Sequence, residues 1–414
     1  MAVSAASDRY DVVIGGGGTA GLALACALAD ALGPEMRIAV ADRTAFGDPA
    51  RARDGRAFAL SAGTKNMLVL LGVWPAIAGH AQPVTVVDIT DSSLDDAFRP
   101  VLVSYDNRVD GEPATWIVEN DRLLDALQDA ASARAGIFLL GGQAAEGFTR
   151  DEHGVEVALA GGEKLRAPLL VAADGRASRL RETAGIQVVR WSYPQIGIVT
   201  TVRHAKPHGG RAVQHFLPSG PFAMLPLTGN RTCVTWTEEE KRGREIVALD
   251  DAAFLAEVEK RFDWRLGAVS LAGPRSAWPL DMHLARALVT DRFALVGDAA
   301  HGVHPIAGQG LNLGFRDVAA LAEVVVEAAR LGLDIGSATV LERYERWRRL
   351  DSALSAAAFD GLNRLFSNDW TPLRTLRDAG LGLVERMPGL KQFFVAEAAG
   401  LTGDVPKLLR GEAL

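Results

Sequence analysis

A cluster of glycines near the start of the chain has the spacing of a nucleotide-phosphate loop. Gly16, Gly18 and Gly21 fit the pattern G-x-G-x-x-G. Glycine suits such a turn because the backbone bends tightly and approaches a pyrophosphate, which then meets the free N–H groups of the following helix. Asp42 lies 21 residues beyond Gly21, an offset at which a carboxylate accepts hydrogen bonds from a ribose hydroxyl. The pattern predicts a dinucleotide site without choosing between FAD and NAD.

A second stretch, residues 292–317, has the features that favour FAD. Its apolar start ends at Gly297 and Asp298, where an acid can bind a sugar-like polyol; Pro305, Gly308 and Gly310 then lead into another predicted helix. If that helix start faces the pyrimidine side of a flavin, its dipole would stabilise the negative charge of a reduced isoalloxazine. A third stretch, residues 174–181, begins with an Asp-Gly pair and on its own would pass for a solvated turn.

The elements that must position these motifs read as an interleaved α/β chain. Apolar runs predict strands at 10–14, 37–41, 169–173 and 292–296, and the first two enclose a helix at 22–32, which makes a βαβ opening with a parallel sheet. Further helices are predicted at 67–77, 121–135 and from residue 311 onward. Alternating β-branched residues over 196–236 predict an antiparallel sheet.

The predicted fold is therefore a Rossmann-like FAD-binding domain interleaved with a β-sheet substrate domain and followed by a helical C-terminal region. Because the nucleotide-type segments recur at three places, the FAD-binding domain is predicted to be discontinuous. Its predicted segments are 8–80, 116–184 and 278–335; the substrate sheet takes 81–115 and 185–277, and the helical region 336–414.

The order of the three motifs resembles the flavoprotein aromatic hydroxylases of the para-hydroxybenzoate hydroxylase fold. Within that group, residues 304–314 followed by Asp317 are similar to the signature of the ubiquinone-biosynthesis hydroxylases (the UbiH/UbiF type). The similarity extends over nearly the whole chain. This sequence departs from the family pattern at Gly15, where an aliphatic residue is commoner, at Asp42, where Glu is commoner, and at Gly302, where Thr is common.

The resemblance implies which residues bind FAD. It places Gly16, Gly18, Thr19, Ala20 and Gly21 at the pyrophosphate, Asp42 and Arg43 near the adenosine ribose, and Asp298 at the ribityl chain. It places two arginines, Arg56 and Arg122, near the pyrophosphate or ribityl region. Asp174 belongs to a motif that the family links to both FAD and nicotinamide. The backbone of the loop that opens the second predicted helix would face the flavin pyrimidine edge; the residues of this loop are Pro305, Gly308, Gly310, Leu311 and Asn312.

The resemblance also implies the reaction. NADPH or NADH, docking transiently, would reduce FAD, and a C4a-hydroperoxyflavin formed with O2 would hydroxylate the ring of a polyprenyl phenol. The candidates for a catalytic role are His304 and Pro305, in the loop before the second predicted helix, and packing explains the histidine equally well. A base near the substrate would activate a phenol, but each polar candidate in the sheet is better explained as structural: Tyr193, His204, His208, His215 and Glu238.

Composition limits the partners. A net charge of −7 argues against nucleic acid, and two cysteines exclude a disulfide framework and fit a reducing cytosol. The histidines lack a tight ligand spacing, so no metal is predicted. No secretory signal or membrane span is predicted. The expected location is the cytoplasm, with peripheral contact with the inner membrane or with a quinone-biosynthesis complex suggested by the tail of the substrate.

Several alternatives stay open. The apolar run 221–227 would line a pocket for a prenylated ring or form a core strand. The mixed basic and apolar residues between Arg364 and Phe394 would dock a bilayer or pack on the body of the protein. The chain as a whole could instead be a soluble hydroxylase of a small benzoate or phenol, or a flavin-binding assembly subunit without catalysis.

Overall fold

The computed structural model describes residues 9–48, 54–91, 93–94, 100–262, 264–305, 308–367 and 387–414. Its strands are β1 Val12–Gly15, β2 Ile38–Asp42, β3 Ala57–Ser61, β4 Gln82–Val84, β5 Val86–Asp91, β6 Val103–Asp106, β7 Arg108–Val109, β8 Glu112–Pro113, β9 Thr115–Glu119, β10 Ile137–Gly141, β11 Ala145–Arg150, β12 Val155–Leu159, β13 Lys164–Ala167, β14 Leu169–Ala172, β15 Val188–His204, β16 Arg211–Leu217, β17 Gly220–Leu227, β18 Arg231–Glu239, β19 Val269–Leu271, β20 Ser276–Ala285, β21 Val289–Thr290, β22 Phe293–Leu295 and β23 His301–Gly302.

The helices are α1 Thr19–Leu32, α2 Ala62–Leu70, α3 Trp74–Ile77, α4 Asn120–Ser132, α5 Arg179–Thr183, α6 Glu240–Val247, α7 Asp251–Glu259, α8 Gly310–Arg330, α9 Ala338–Phe366, α10 Pro388–Ala398 and α11 Lys407–Arg410. Short 3-10 turns occupy Ala78–His80, Trp264–Leu266 and Gly297–Ala299. Across the described residues, no helix combines the length and the apolar content needed to cross a bilayer.

A mainly parallel sheet forms the nucleotide-binding half, in the order β10-β2-β1-β14-β22-β21. Its central strand β1 is buried along its whole length, as expected of a strand covered by helices on both faces. Helices α1 and α8 pack against each other beside this sheet, and α9 packs on α8. The predicted βαβ opening and the strands at 169–173 and 292–296 are confirmed as neighbours in one sheet.

A second, largely antiparallel sheet has the order β23-β20-β15-β18-β17-β16-β5-β6, with β19 beside β15. One face of this sheet is buried with α6 and α7 in a core that contains Phe222, Trp236 and Phe254. The opposite face packs through Leu225 and Cys233 against Ala57 and Ala59 of β3. This second face is therefore the one that looks toward the nucleotide-binding half.

The α/β class, the interleaving of the two sheets and the helical C-terminal part agree with the prediction, and two details differ. The antiparallel sheet predicted over 196–236 is wider, because β15 starts at Val188 and β5, β6 and β20 join it. The helix predicted at 67–77 is interrupted, because Gly72 adopts a φ of 67° between α2 and α3. Helix α2 begins earlier, where the Ser61 hydroxyl accepts the Thr64 N–H at 3.1 Å as a cap.

Strand β20 illustrates how closely the halves are joined. Most of its residues lie in the predicted FAD-binding segment 278–335, yet the strand pairs with β15 in the antiparallel sheet. The domain limits given above accordingly remain a prediction about how the chain divides.

Candidate cofactor and active site

The predicted cofactor residues gather at one edge of the parallel sheet. Strands β2, β1, β14 and β22 are parallel neighbours, so their carboxyl ends meet at the same edge. Asp42 ends β2, and the Gly16, Asp174 and Asp298 loops follow the other three strands. In open α/β sheets ligands bind at this edge. The fold therefore brings together residues that lie far apart in the sequence.

The glycine loop has the shape that its sequence requires. Gly16 has a φ of 112°, and a Cβ there would lie 2.2 Å from the Ala173 carbonyl oxygen. A Cβ on Gly21 would lie 2.0 Å from the Gly16 carbonyl oxygen, so both positions exclude side chains for reasons internal to the fold. At Gly18, by contrast, a Cβ would meet nothing within 4 Å. The loop is thus closed on its protein side and open at Gly18.

Helix α1 begins at this opening without a side-chain cap or an acidic residue in its first turn. Its leading N–H groups and the positive end of its dipole are therefore available to an anion. Thr19 and Ala20 of the first turn are half-buried. An uncapped helix start beside an open glycine can bind the phosphates of a dinucleotide through its free N–H groups.

Asp42 braces the glycine loop in addition to any contact with a ribose. One carboxylate oxygen accepts the Gly17 N–H at 2.7 Å, and the other accepts the Thr44 N–H at 2.8 Å. The neighbouring Arg43 is exposed. The position of Asp42 at the end of β2 fits the predicted role at a ribose, which stays a prediction.

Asp298 stands on a tight turn at the end of β22, and its side chain is exposed. Gly297 before it has a φ of 60°. A Cβ on Gly297 would lie 3.3 Å from the Ala20 Cβ and 3.9 Å from the Gly314 Cα. The turn therefore lies between the first turn of α1 and the second turn of α8, where a carboxylate can reach a ligand shared by both helices.

The predicted flavin loop leads into α8. The Pro305 carbonyl accepts the Gly308 N–H at 2.9 Å, and Gly308 has a φ of 63°. Helix α8 starts at Gly310 without a side-chain cap, and Leu311 is half-buried. Residues 306 and 307 lie outside the described residues. This loop forms a second uncapped helix start near the same edge of the sheet.

The Asn312 side chain is used by the protein itself. Its oxygen accepts the Ser61 N–H at 3.0 Å and the Thr64 hydroxyl at 2.9 Å, while its nitrogen donates to the Ala59 carbonyl at 2.8 Å and to Gln309 Oε1 at 3.0 Å. Any contact of Asn312 with a cofactor must therefore come from its backbone, as the resemblance implies.

His304 is buried and lies edge-on to the Tyr193 ring, with 5.1 Å between ring centroids. Burial lowers the pKa of His304 from its usual 6.5 to about 4, so the imidazole is neutral near pH 7. The Tyr193 hydroxyl donates to Asp360 of α9 at 2.6 Å, and burial raises its pKa. A neutral tyrosine bonded to a carboxylate is a poor base.

The other polar candidates in the antiparallel sheet have structural partners. His204 contacts the Lys206 carbonyl at 2.6 Å, and His208 contacts the Leu227 carbonyl at 2.8 Å. His215 contacts the Thr90 hydroxyl, and Glu238 pairs with Arg261 at 3.2 Å. These contacts favour the structural interpretation for all four side chains.

Asp174 and the two predicted arginines lie in different settings. Asp174 is half-buried, one oxygen accepts the Leu180 N–H at 3.3 Å, and desolvation raises its pKa. Its other oxygen is buried and accepts no hydrogen bond within the described residues. Arg56 forms an ion pair with Asp54 at 2.6 Å. Arg122 is exposed in the first turn of α4, and this turn lies beside Arg56 because the Asn120 N–H donates to the Arg56 carbonyl.

Two of the three departures from the family pattern, both glycines, lie against larger neighbours. A Cβ on Gly15 would lie 2.3 Å from Leu180 Cδ1, so the leucine of α5 fills that space. A Cβ on Gly302 would lie 2.6 Å from the Arg176 guanidinium carbon. Both glycines therefore make room for side chains of the Asp-Gly motif.

Strand β17 contains the apolar run 221–227, and its residues alternate between the two faces of the sheet. Phe222 and Met224 are core residues under α6 and α7, whereas Leu225 belongs to the face that looks toward β3.

The basic and apolar C-terminal cluster lies partly outside the described residues, since 368–386 are not among them. Of its described members, Phe366 is buried and stacks on Phe216 at 3.9 Å between centroids.

The arrangement fits FAD. Two uncapped helix starts, an open position at Gly18 and an exposed carboxylate at Asp298 match a pyrophosphate flanked by a polyol and a flavin.

The residues that support the Asp298 turn from α8 and α9 were not predicted as site residues. In the sequence Asp317 appears only as the residue that follows the signature at 304–314, and its spacing from Arg348 does not indicate that the two side chains pair.

Comparisons with known proteins agree with this geometry. Residues 9–355 match the family described as FAD binding domain. The chain is 41% identical over its full length to ubiquinone hydroxylase UbiL of Rhodospirillum rubrum, covering 95% of that protein. It is 35% identical to the 3-demethoxyubiquinol 3-hydroxylase of Escherichia coli, with 94% and 98% of the two chains covered.

Solved structures show the same fold at lower identity. The p-nitrophenol 4-monooxygenase PnpA of Pseudomonas putida superposes with a TM-score of 0.77 at 20% identity, over 96% of this chain and 99% of that one. Because residues 9–355 match the family model and the whole chain is similar to these hydroxylases, the chain belongs to the FAD binding domain family and, within it, to the FAD-dependent hydroxylases of the ubiquinone-biosynthesis type.

Proposed function

We propose that this protein hydroxylates the aromatic ring of a polyprenyl phenol, using FAD, O2 and NADPH or NADH. The balanced reaction inserts one oxygen atom into a ring C–H bond and releases the other as water, while the nicotinamide gives up a hydride and the medium a proton. FAD, when bound, supplies the two-electron reduction and the activation of O2. The observation that carries the proposal is the full-length similarity to ubiquinone hydroxylases, and the Asp298 turn between the starts of α1 and α8 supports the cofactor.

The residues of the chain would bind, orient and exclude water. The N–H groups at the starts of α1 and α8 would stabilise negative charge on the phosphates and on the flavin ring. Asp298 would accept hydrogen bonds from the ribityl hydroxyls, and Asp42 from the adenosine ribose. The face of the antiparallel sheet that carries Leu225 would supply an apolar wall for the ring. Since each polar candidate for a substrate base named above has a structural partner, the chemistry would rest on the flavin.

The experiment is turnover of the purified, flavin-loaded protein with a phenol that carries a short prenyl tail, followed by mass analysis of the product. We expect oxidation of NADPH or NADH coupled to a gain of one oxygen atom, with 18O from labelled O2. Equal turnover of an untailed benzoate or phenol would support a small-aromatic hydroxylase instead. Bound FAD without any ring oxygenation would contradict the proposal and support an assembly subunit.

A prenylated substrate would bring the protein to a membrane surface, because its tail partitions into lipid. We propose peripheral contact with the inner membrane, and the test is flotation of the holoprotein with anionic vesicles that contain a polyprenyl phenol. Recovery of all the protein at the bottom of the gradient would contradict it.

A further inference from the structure

The turn that carries Asp298 and the end of β22 before it are held by side chains from four different elements. Its backbone groups are bonded inside the protein, and the Asp298 carboxylate points outward. The bonds join the Leu295 carbonyl to the Tyr344 hydroxyl of α9 at 2.7 Å, the Gly297 N–H to Asp317 Oδ2 of α8 at 3.0 Å, the Asp298 carbonyl to His283 Nε2 of β20 at 2.9 Å, and the Ala299 carbonyl to the Arg181 guanidinium of α5 at 2.7 Å.

Asp317 is the charged member of this set, and it is completely buried. Its Oδ1 accepts Arg348 Nε at 2.8 Å, and its Oδ2 lies 2.5 Å from His301 Nε2. Arg348 of α9 is 1% exposed. Such a buried ion pair adds little to stability, since desolvation costs about as much as the charges gain. The pair therefore calls for an explanation other than stability.

Gly297 supplies that explanation. Gly297 lies beyond the last residue of β22, and its N–H donates to a side chain and not to a neighbouring strand. Gly297 is buried, and it lies close to Ala20 of α1 and Gly314 of α8. Asp317 Oδ2 is the acceptor that satisfies this N–H. Without an acceptor there, the turn would have to change shape to regain a hydrogen bond.

We propose that Asp317 is a positioning residue for FAD: by accepting the Gly297 N–H it fixes the turn that presents Asp298 to the cofactor. Arg348 and His301 hold the Asp317 carboxylate in place, so α9 takes part in cofactor binding although it carries no predicted cofactor residue. This inference rests on the proposed contact between Asp298 and the ribityl chain, and it does not depend on the substrate.

The test compares two double variants that both remove the buried charges. Asp317→Asn with Arg348→Met keeps an oxygen that can accept the Gly297 N–H, whereas Asp317→Leu with Arg348→Met removes it. Replacing a buried ion pair by uncharged groups is often neutral or stabilising, so the Asn variant should melt near the wild-type temperature after flavin removal. The Leu variant should stay folded and melt at a lower temperature, because the buried Gly297 N–H loses its acceptor. If the leucine overpacks the site, Asp317→Ala with Arg348→Met gives the same comparison without added volume.

The readout is the Kd for FAD, measured by quenching of flavin fluorescence, together with the FAD content after purification. We expect the Asn variant to bind FAD within about threefold of the wild type and the Leu or Ala variant to bind at least about tenfold more weakly, as for one lost hydrogen bond. Asp351→Asn is the matched control, because Asp351 binds Arg348 on its partly exposed side and does not touch the turn. Its Kd should not change.

Two results would overturn the proposal. Wild-type FAD affinity in a folded Leu or Ala variant would show that the Gly297 N–H needs no acceptor. Equal losses in the Asn and Leu variants would assign the effect to the missing charges. The positioning role and the proposed function fail by separate measurements. Full retention of FAD in both double variants would contradict the positioning role of Asp317, whereas absence of ring oxygenation by the wild type would contradict the proposed function.

Discussion

At the scale of single residues, Asp298 differs from its surroundings because its carboxylate is exposed while the backbone of its turn is bonded internally. We predict that Asp298→Ala leaves the fold intact and purifies with little or no yellow flavin, with a Kd for FAD raised at least about tenfold. The measurement is the visible absorbance of bound flavin per chain. Asp291→Ala is the control, since Asp291 is exposed at the opposite end of β22; full flavin content in Asp298→Ala would refute the assigned role.

The glycines of the first loop separate cofactor binding from folding. Gly18→Ala should leave the thermal stability of the flavin-free protein unchanged and weaken FAD binding, because the added methyl group enters open space where the phosphates would lie. Gly21→Ala should instead destabilise the protein itself, because its Cβ would lie 2.0 Å from the Gly16 carbonyl oxygen. Melting curves with and without FAD distinguish the two. Unchanged FAD affinity in Gly18→Ala would argue that the cofactor does not pass this point.

At the scale of elements, two buried histidines support the loops around the site. Burial lowers the pKa of His283 and of His304 from 6.5 to about 4 in the folded protein. Since the unfolded chain takes up protons at higher pH, the stability from each neutral imidazole is complete above about pH 6.5 and is lost as the pH falls toward 4. The loss is about 3 kcal/mol for each histidine.

We therefore predict that His304→Gln flattens the decline in unfolding free energy between about pH 6.5 and pH 4, while lowering stability at pH 7 through lost packing. Urea denaturation at a series of pH values measures this slope. His153→Gln is the control, because His153 is exposed and should leave the slope unchanged. A slope as steep in His304→Gln as in the wild type would contradict the expectation.

At the scale of the whole molecule, the end of the chain returns to the nucleotide-binding half. Leu408 and Leu409 of α11 are buried in the same core as β1 and α1. The Asn66 side chain of α2 donates to the Leu409 carbonyl at 3.1 Å, and the Lys407 N–H donates to Glu323 of α8 at 2.8 Å. The last residues are thus part of the support for α2 and α8.

Leu409→Ala should lower the unfolding free energy by about 2–5 kcal/mol, the usual cost of such a cavity in a core. Urea denaturation of the FAD-loaded protein measures the change. Leu401→Ala, at a side chain that is 38% exposed, is the control and should cost much less. Similar stability of the two variants would mean that the C-terminal segment is not part of the core.

The sequence alone determined the features that depend on local backbone chemistry. The glycine turn at 16–21, the buried strands beside it and the Gly297–Asp298 turn were predictable because phosphate approach and left-handed backbone leave few residue choices. The resemblance to ubiquinone-biosynthesis hydroxylases followed from the same motifs and their order. The helix predicted at 67–77 was wrong in detail because a glycine between two apolar runs leaves the periodicity unbroken.

Only the tertiary structure decided which polar groups meet. Asp317 pairs with Arg348, 31 residues away, and the Tyr344 hydroxyl reaches the Leu295 carbonyl across 49 residues. Asn312 is a predicted cofactor residue, but its side-chain oxygen accepts hydrogen bonds from Ser61 of β3 and Thr64 of α2. Spacing along a helix shows which face a residue lies on, but its hydrogen-bond partner depends on how distant elements pack, and that packing is a property of the folded chain as a whole.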